Sequence, residues 1–135
     1  HLEITPRHPS VFGVQFSDPQ TLAYVGLCSA IVGHSFSLFL KFKGGKGVAT
    51  AIGGLSAIML WAIVAALVVW VVVFYASRYV SLASLALAVA LPIASFIIYP
   101  SMPGHFYISL AIAAVVIFRH RSNIARLLKG TENRF

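Results

Sequence analysis

A segment rich in glycine and lysine at residues 41–47, KFKGGKG, carries the clearest chemical pattern in the chain. Its glycines allow backbone dihedral angles that are closed to other residues, so several N–H groups can point into one concavity. Its lysines add ammonium groups at the same place, just before a predicted helix start at residues 48–50. Convergent N–H donors and cations suit a phosphate group. The residues expected to bind it are Lys41, Lys43, Gly44, Gly45, Lys46 and Gly47. The alternative interpretation is a flexible basic loop that anchors the chain to anionic lipid.

His34 stands shortly before that segment. An imidazole facing a bound phosphate could donate a hydrogen bond or carry a proton. The alternative, which is the commoner case for a lone histidine, is a helix-end side chain bonded to the backbone. The five histidines are scattered, so no metal site is expected. The single cysteine, Cys28, lies in an apolar run and offers no disulfide framework.

A second polar cluster begins at residue 119, with the sequence RHRSN. On a helix, His120 and Asn123 are three residues apart and share a face. Such a pair near guanidinium groups could position a hydroxyl group and stabilise a developing oxyanion. These two residues are the catalytic candidates, and Arg119 and Arg121 are candidates for phosphate binding. The alternative is a basic juxtamembrane tail of the kind that favours the cytoplasmic side.

Ser81 and Ser84 are three residues apart at the start of an apolar stretch. Serines in such places usually bond within their own helix or across a helix interface. They could instead donate to a polar ligand at the membrane surface. Ser84 is accordingly a candidate for the catalytic site and Ser81 for substrate binding.

The elements that must position these residues are membrane helices. The chain of 135 residues is 59% hydrophobic and 10% charged, with a mean hydropathy of +0.91. A soluble domain of this size could not bury so much apolar surface. We therefore predict a single all-α integral membrane domain over residues 1–135, a multi-span helical bundle with about four hydrophobic segments. A polar arm at 1–20 precedes membrane segments over 21–118, and a basic tail follows at 119–135. The predicted segments are 21–40, 52–75, 82–99 and the shorter 105–118.

The net charge of +7, with only three acidic residues, indicates an anionic partner. No soluble core accompanies the basic residues, so lipid headgroups or a phosphorylated substrate are favoured over nucleic acid. Both basic clusters favour the cytoplasmic side, yet three full crossings between them would separate them. One segment is therefore expected not to cross, and the short segment 105–118 is the favoured candidate.

Three runs of sequence together resemble a known family. GHSFSLFLKFKGGKGVAT at residues 33–50 resembles the second signature motif of the PlsY-type acyl-phosphate:glycerol-3-phosphate acyltransferases. RHRSNIARLLKGTE at 119–132 resembles their third motif, and RYVSLASL at 78–85 resembles the pattern between the two. The family's first motif is not found, and it is expected to precede His1. By this resemblance the parent protein is an enzyme, and the present chain alone is expected to be inactive.

The resemblance implies a multi-pass protein of the bacterial inner membrane, a monomer without a cofactor, whose active site faces the cytoplasm. Such enzymes move an acyl group from acyl phosphate to the 1-hydroxyl of glycerol 3-phosphate, giving lysophosphatidic acid and phosphate. It also assigns Gly44, Gly45, Lys46 and Gly47 to glycerol 3-phosphate, His120 and Asn123 to activity, Glu132 to a structural role and Ser84 to the lining of the site. Outside the resemblance, a small transporter subunit and a structural lipid-binding subunit stay open as alternatives.

Overall fold

The structure, a computed structural model, describes residues 10–11, 14–15, 18–35 and 48–135. The helices are α1 (Pro19–Ser35), α2 (Val48–Ser56), α3 (Leu60–Ser77), α4 (Val80–Ile98), α5 (Pro103–Arg119) and α6 (Arg121–Leu128). Two short strands, β1 (Ser10–Val11) and β2 (Val14–Gln15), pair in antiparallel fashion before α1. The predicted all-α fold is confirmed apart from this strand pair, which lies in the arm expected to be a loop.

Helix α1 begins within that polar arm because its first turn is capped by Asp18. One carboxylate oxygen of Asp18 accepts hydrogen bonds from the backbone N–H and the hydroxyl of Thr21, both at 2.9 Å. These bonds lower the pKa of the Asp18 carboxyl. Pro19 follows in the first helical position, where a missing N–H costs nothing. The predicted segment 21–40 thus starts two residues too late, and its part beyond Ser35 lies outside the described residues.

The single membrane helix predicted for residues 52–75 is wrong, because the chain breaks at 57–59. The backbone N–H groups of Ile58 and Met59 both donate to the carbonyl of Leu55, at 3.0 and 2.7 Å. This shared acceptor ends α2 after nine residues, and α3 then starts at Leu60. At about 1.5 Å per residue, α2 is too short to cross a bilayer.

Two of the helices, α3 and α4, are each long and apolar enough to cross a membrane, and α5 with α6 would be a third crossing bent by 58°. The protein is thus an integral membrane protein. Helix α4 lies within two residues of the predicted segment 82–99 and continues through Pro92. Small buried side chains, among them Ala62, Ala66 and Ala88, line the bundle interior, and small residues allow helices to pack closely.

The bundle has two polar ends. The His120 end holds the turn between α3 and α4 and the junction of α5 with α6. The His105 end holds the start of α3, the turn between α4 and α5, and the first turn of α5. The turn that follows α2 contacts His105 through the carbonyl of Ile58. The helix itself, from Val48 onward, lines a small apolar void that Val116, late in α5, also lines. Helix α2 therefore runs from the bundle interior toward the His105 end, with its first residue, Val48, directed toward the His120 end.

Candidate active site

His120 lies at the bend between α5 and α6 and is 2% exposed. Its backbone N–H bonds to the carbonyls of Val116 and Ile117, and its ring Nδ1 lies 2.8 Å from the carbonyl oxygen of Val116. A carbonyl oxygen can only accept, so Nδ1 carries the hydrogen. In the neutral ring, Nε2 is therefore the nitrogen that has a lone pair and can accept a proton.

Asn123, in the first turn of α6, is 3% exposed. Its Nδ2 donates to a carboxylate oxygen of Glu132 at 2.6 Å. Because the carboxylate only accepts, this bond fixes which way the amide points. The amide oxygen is buried and has no hydrogen-bond partner within the described part of the chain. A buried acceptor of this kind is costly unless something donates to it, so it suits the hydroxyl of a bound ligand.

Glu132 reaches Asn123 because the chain reverses directly after α6. Gly130 has a φ of +68°, and its N–H bonds to Leu127 while that of Thr131 bonds to Arg126. These two bonds form a Schellman motif, which turns the chain back along the helix. The second carboxylate oxygen of Glu132 then accepts from the Nε of Arg126 at 2.6 Å.

These contacts set the acidity of Glu132. The hydrogen bond from Asn123 is the largest cause of a lowered pKa, burial opposes it, and the bond from Arg126 adds to it. Together they lower the pKa from 4.5 to about 2. The group is therefore ionised at neutral pH, which keeps both of its oxygens available as acceptors for Asn123 and Arg126.

We expect acid to loosen the Glu132 clamp, that is, the hydrogen bonds that the Glu132 carboxylate accepts from Asn123 and Arg126. A carboxyl with a lowered pKa in the folded state contributes stability above its unfolded pKa, 4.5 here, and loses it as the pH falls toward about 2. Thermal unfolding in detergent, followed from about pH 7 to about pH 3, should show the wild-type protein losing stability relative to Glu132→Gln. The variant should be less stable at neutral pH and should not show this loss of stability as the pH falls. Parallel curves for the two proteins would show that Glu132 does not carry the effect.

The first turn of α4 lies beside this group. Ser81 is 5% exposed and close enough to Glu132 to contribute to its lowered pKa, although its hydroxyl forms no well-aligned hydrogen bond among the described residues. Ser84, one turn deeper and also buried, accepts a hydrogen bond from the indole Nε1 of Trp70 at 3.3 Å. The hydroxyl hydrogen of Ser84 can therefore point elsewhere. The chain end returns here too, since the N–H of Phe135 bonds to the carbonyl of Arg78 at 2.9 Å.

The structure thus brings Ser81, Asn123 and Glu132 together at the His120 end, where His120 is also buried. Arg119 is half-buried at the end of α5. Arg121 is exposed and turns away toward Phe118, with its guanidinium 4.7 Å from the ring centre and one N–H donating to that residue's carbonyl. His34 belongs to α1, but its side chain is outside the described residues, as are Lys41, Lys43, Gly44, Gly45, Lys46 and Gly47.

Helical spacing groups Arg126 with Arg119 and Asn123, but the sequence predicted neither its bond to Glu132 nor a partner role for Trp70. Arg126 and Glu132 are six residues apart, which is not a helical contact spacing. Gly130 after Lys129 was the available signal, because a glycine there predicts a helix stop with a reversal. The bond between Trp70 and Ser84 joins two different helices, and the sequence carries no signal for it.

Over residues 8–130 the chain matches the sequence model of a family described as Glycerol-3-phosphate acyltransferase. A glycerol-3-phosphate acyltransferase of Trichlorobacter lovleyi is 47% identical over 113 residues, which are 84% of this chain and 57% of that protein. One of Bordetella pertussis is 47% identical over 119 residues, covering 83% and 54%.

The same likeness extends to solved structures. The fold superposes on crystal structures of PlsY (YgiH), an integral membrane glycerol 3-phosphate acyltransferase, with a TM-score of 0.77 and 39% identity. The match covers 92% of this chain and 60% of PlsY in its glycerol 3-phosphate form. A lysophosphatidic acid form of PlsY matches equally well. The chain spans between about half and three-fifths of the length of these relatives.

Proposed function

The chain belongs to the glycerol-3-phosphate acyltransferase family, and on that premise we propose that this protein acylates the 1-hydroxyl of glycerol 3-phosphate with acyl phosphate as the donor. The products are lysophosphatidic acid and inorganic phosphate. The observation that supports this most is the buried pair of His120 and Asn123, which offers a proton acceptor and a hydrogen-bond acceptor at one place. PlsY, which has the same fold, is known in forms with glycerol 3-phosphate and lysophosphatidic acid.

The main requirement of this reaction is that the protein positions two reactants. The acceptor hydroxyl oxygen bonds to the acyl carbonyl carbon, the bond from that carbon to the phosphate oxygen breaks, and phosphate leaves with the electron pair. Because the donor is already activated, no acyl-enzyme on serine is needed. Holding both reactants in line can lower the barrier by about 7–11 kcal/mol in ideal cases.

We assign the proton transfer to Nε2 of His120, with the substrate's own phosphate as the alternative acceptor. Asn123 accepts a hydrogen bond from the attacking hydroxyl through its buried amide oxygen and so orients it. Glu132 holds the Asn123 amide in the required orientation. The hydroxyl of Ser84, whose oxygen is held by Trp70, lines the same end of the bundle.

The acceptor phosphate is proposed to bind to the glycine-lysine segment, with Gly44, Gly45, Lys46 and Gly47 as its ligands. Helix α2 supports this, because it begins at Val48, directly after that segment, and its first residue is directed toward the His120 end. Further cations and polar groups are proposed to complete the phosphate sites. They are His34, Lys41, Lys43, Ser81, Arg119 and Arg121.

We also propose that the His120 end faces the cytoplasm of a bacterial inner membrane and that the protein acts as a monomer. Cations paired with aromatic rings lie at that end: Arg78 over Tyr75, Arg121 over Phe118 and Arg134 over Tyr79. Such pairs suit the headgroup region, and basic residues favour the cytoplasmic side. Helix α2 supports the same orientation, because it runs from the direction of the His120 end to the His105 end, and α3, α4 and α5 then each pass once between the two ends. The basic clusters before α2 and after α5 can therefore face one side. Residues 105–118, which were predicted to be the segment that does not cross, instead form most of the 17-residue α5.

The donor is the sharpest test of this proposal. The purified form extended to the length of its relatives, supplied with labelled glycerol 3-phosphate, should form lysophosphatidic acid from palmitoyl phosphate and none from palmitoyl-CoA. Release of one inorganic phosphate for each acyl group transferred should accompany the product. Product from the thioester alone would contradict the proposed donor, and product from neither donor would contradict the proposed reaction.

A further inference from the structure

A buried histidine outside the proposed catalytic group, His105, joins three helical segments. It lies in the first turn of α5 and is 2% exposed. Its Nε2 is 3.2 Å from the carbonyl oxygen of Ile58, and its Nδ1 is 2.7 Å from the hydroxyl oxygen of Tyr24. Since a carbonyl oxygen only accepts, Nε2 donates to Ile58, and in the neutral ring Nδ1 then accepts from the hydroxyl of Tyr24. One imidazole therefore connects α1, the turn at 57–59 and α5.

The surroundings of His105 are built to hold this arrangement. The ring of Tyr99 lies 5.0 Å from the imidazole centre, and the ring of Tyr24 meets it edge-on at 5.9 Å. A Cβ at Gly104 would come to 3.0 Å from the Tyr24 ring, so a larger residue there would crowd the contact between α1 and α5. The imidazole is enclosed on two sides by these rings and is held at both nitrogens.

What His105 holds is the junction that sets the direction of α2. In the turn at 57–59, the backbone N–H groups of Ile58 and Met59 donate to the carbonyl of Leu55. The carbonyl of Ile58 accepts a hydrogen bond from Nε2 of His105. Helix α2 also packs closely against α1. The side chain of Leu27 lies so near Gly54 that a Cβ at this position would collide with it. A short helix fixed along one face and at its last turn has little freedom at its first residue, since packed interiors deform little.

We infer that His105 is a positioning residue for glycerol 3-phosphate. It fixes α2, and through α2 it fixes the point at which the glycine-lysine segment joins this helix. This rests on the proposed function, in which that segment binds the acceptor phosphate. His105 lies at the opposite end of the bundle from His120 and touches no reacting atom. Its effect is therefore expected on acceptor binding and not on the chemical step.

Kinetics separate this role from a general loss of structure. His105→Phe keeps a flat ring and removes both hydrogen bonds, and we expect the KM for glycerol 3-phosphate to rise about five- to tenfold. The KM for acyl phosphate and kcat should change less than about twofold. Tyr24→Phe, which removes one hydroxyl, should show the same pattern more weakly. Ser109→Ala is the matched control, because Ser109 is buried one turn along α5 and, among the described residues, its hydroxyl bonds to the carbonyl of Phe106 in its own helix. A fall in active fraction with unchanged KM would overturn the inference.

A distance measurement tests the position of α2 without relying on catalysis. Spin labels at the exposed residues Ala49 and Val72, with Cys28 replaced by Ala, report the separation of α2 from α3. In His105→Phe the distance distribution should shift or broaden beyond that of the parent and of Ser109→Ala. An unchanged distribution would overturn the inference whatever the activity. Absence of acyl transfer by the form extended to the length of its relatives, without these substitutions, would instead overturn the proposed function, and the labels would still decide whether His105 positions α2.

Discussion

Replacing His120 with Ala should lower kcat for acyl transfer by about 10²- to 10⁴-fold, the usual contribution of a positioned general base. The ring is buried at the α5–α6 bend, and its Nδ1 is committed to the carbonyl of Val116. In the neutral ring that bond makes Nε2 the nitrogen with a lone pair, which is the proposed base, so replacing the ring would remove it. The measurement is the turnover of purified variants at saturating substrate, with the folded fraction determined for each.

The matched control is His120→Asn. An asparagine amide can donate to the carbonyl of Val116 in place of Nδ1, so it keeps the helix bend while lacking a base. Turnover as low as that of the alanine variant would support the base. If the asparagine variant kept wild-type turnover, His120 would serve only to shape the bend, and the substrate's phosphate would take the proton.

Lys46→Ala should raise the KM for glycerol 3-phosphate by roughly 10- to 150-fold, because a charge-assisted hydrogen bond to phosphate contributes about 1.5–3 kcal/mol. The KM for acyl phosphate should change much less, since the segment at 41–47 is assigned to the acceptor. Initial rates with each substrate varied in turn give both values.

Lys129→Ala removes the same charge from an exposed position at the end of α6 and is the control for the overall electrostatic field. We expect it to leave both KM values within about twofold, because exposed charges are screened by solvent and salt. Equal effects of the two substitutions would indicate that Lys46 acts only through the net positive charge. Tolerance of both would favour a basic membrane anchor, the alternative that the sequence analysis left open.

The parts of the fold that depend on local signals were predictable. Helix α4 follows the apolar stretch at 82–99, and α6 ends where Gly130 follows Lys129, with the positive φ that glycine accepts. The proximity of His120 and Asn123 was expected from helical spacing; in the structure His120 stands at the bend that precedes α6, and Asn123 lies within α6.

The features that were missed depend on contacts between distant parts of the chain. Residues 52–75 are uncharged throughout, and on that ground they were predicted as one helix. The break between α2 and α3 is stabilised by His105, which lies 47 residues from Ile58. In the same way the Glu132 clamp needs the reversal at Gly130 before Arg126 and Asn123 come within reach. Spacing along a helix cannot show such contacts.

The proposed acyltransferase activity is tested most plainly by acyl transfer from palmitoyl phosphate to labelled glycerol 3-phosphate in lipid cubic phase. The present chain would be assayed beside a form extended upstream to the length of its relatives, with His120→Asn in the extended form as the control. We expect labelled lysophosphatidic acid from the extended form, and little or none from its His120→Asn variant. Verified folding of the extended form with no labelled product would contradict the proposed acyltransferase.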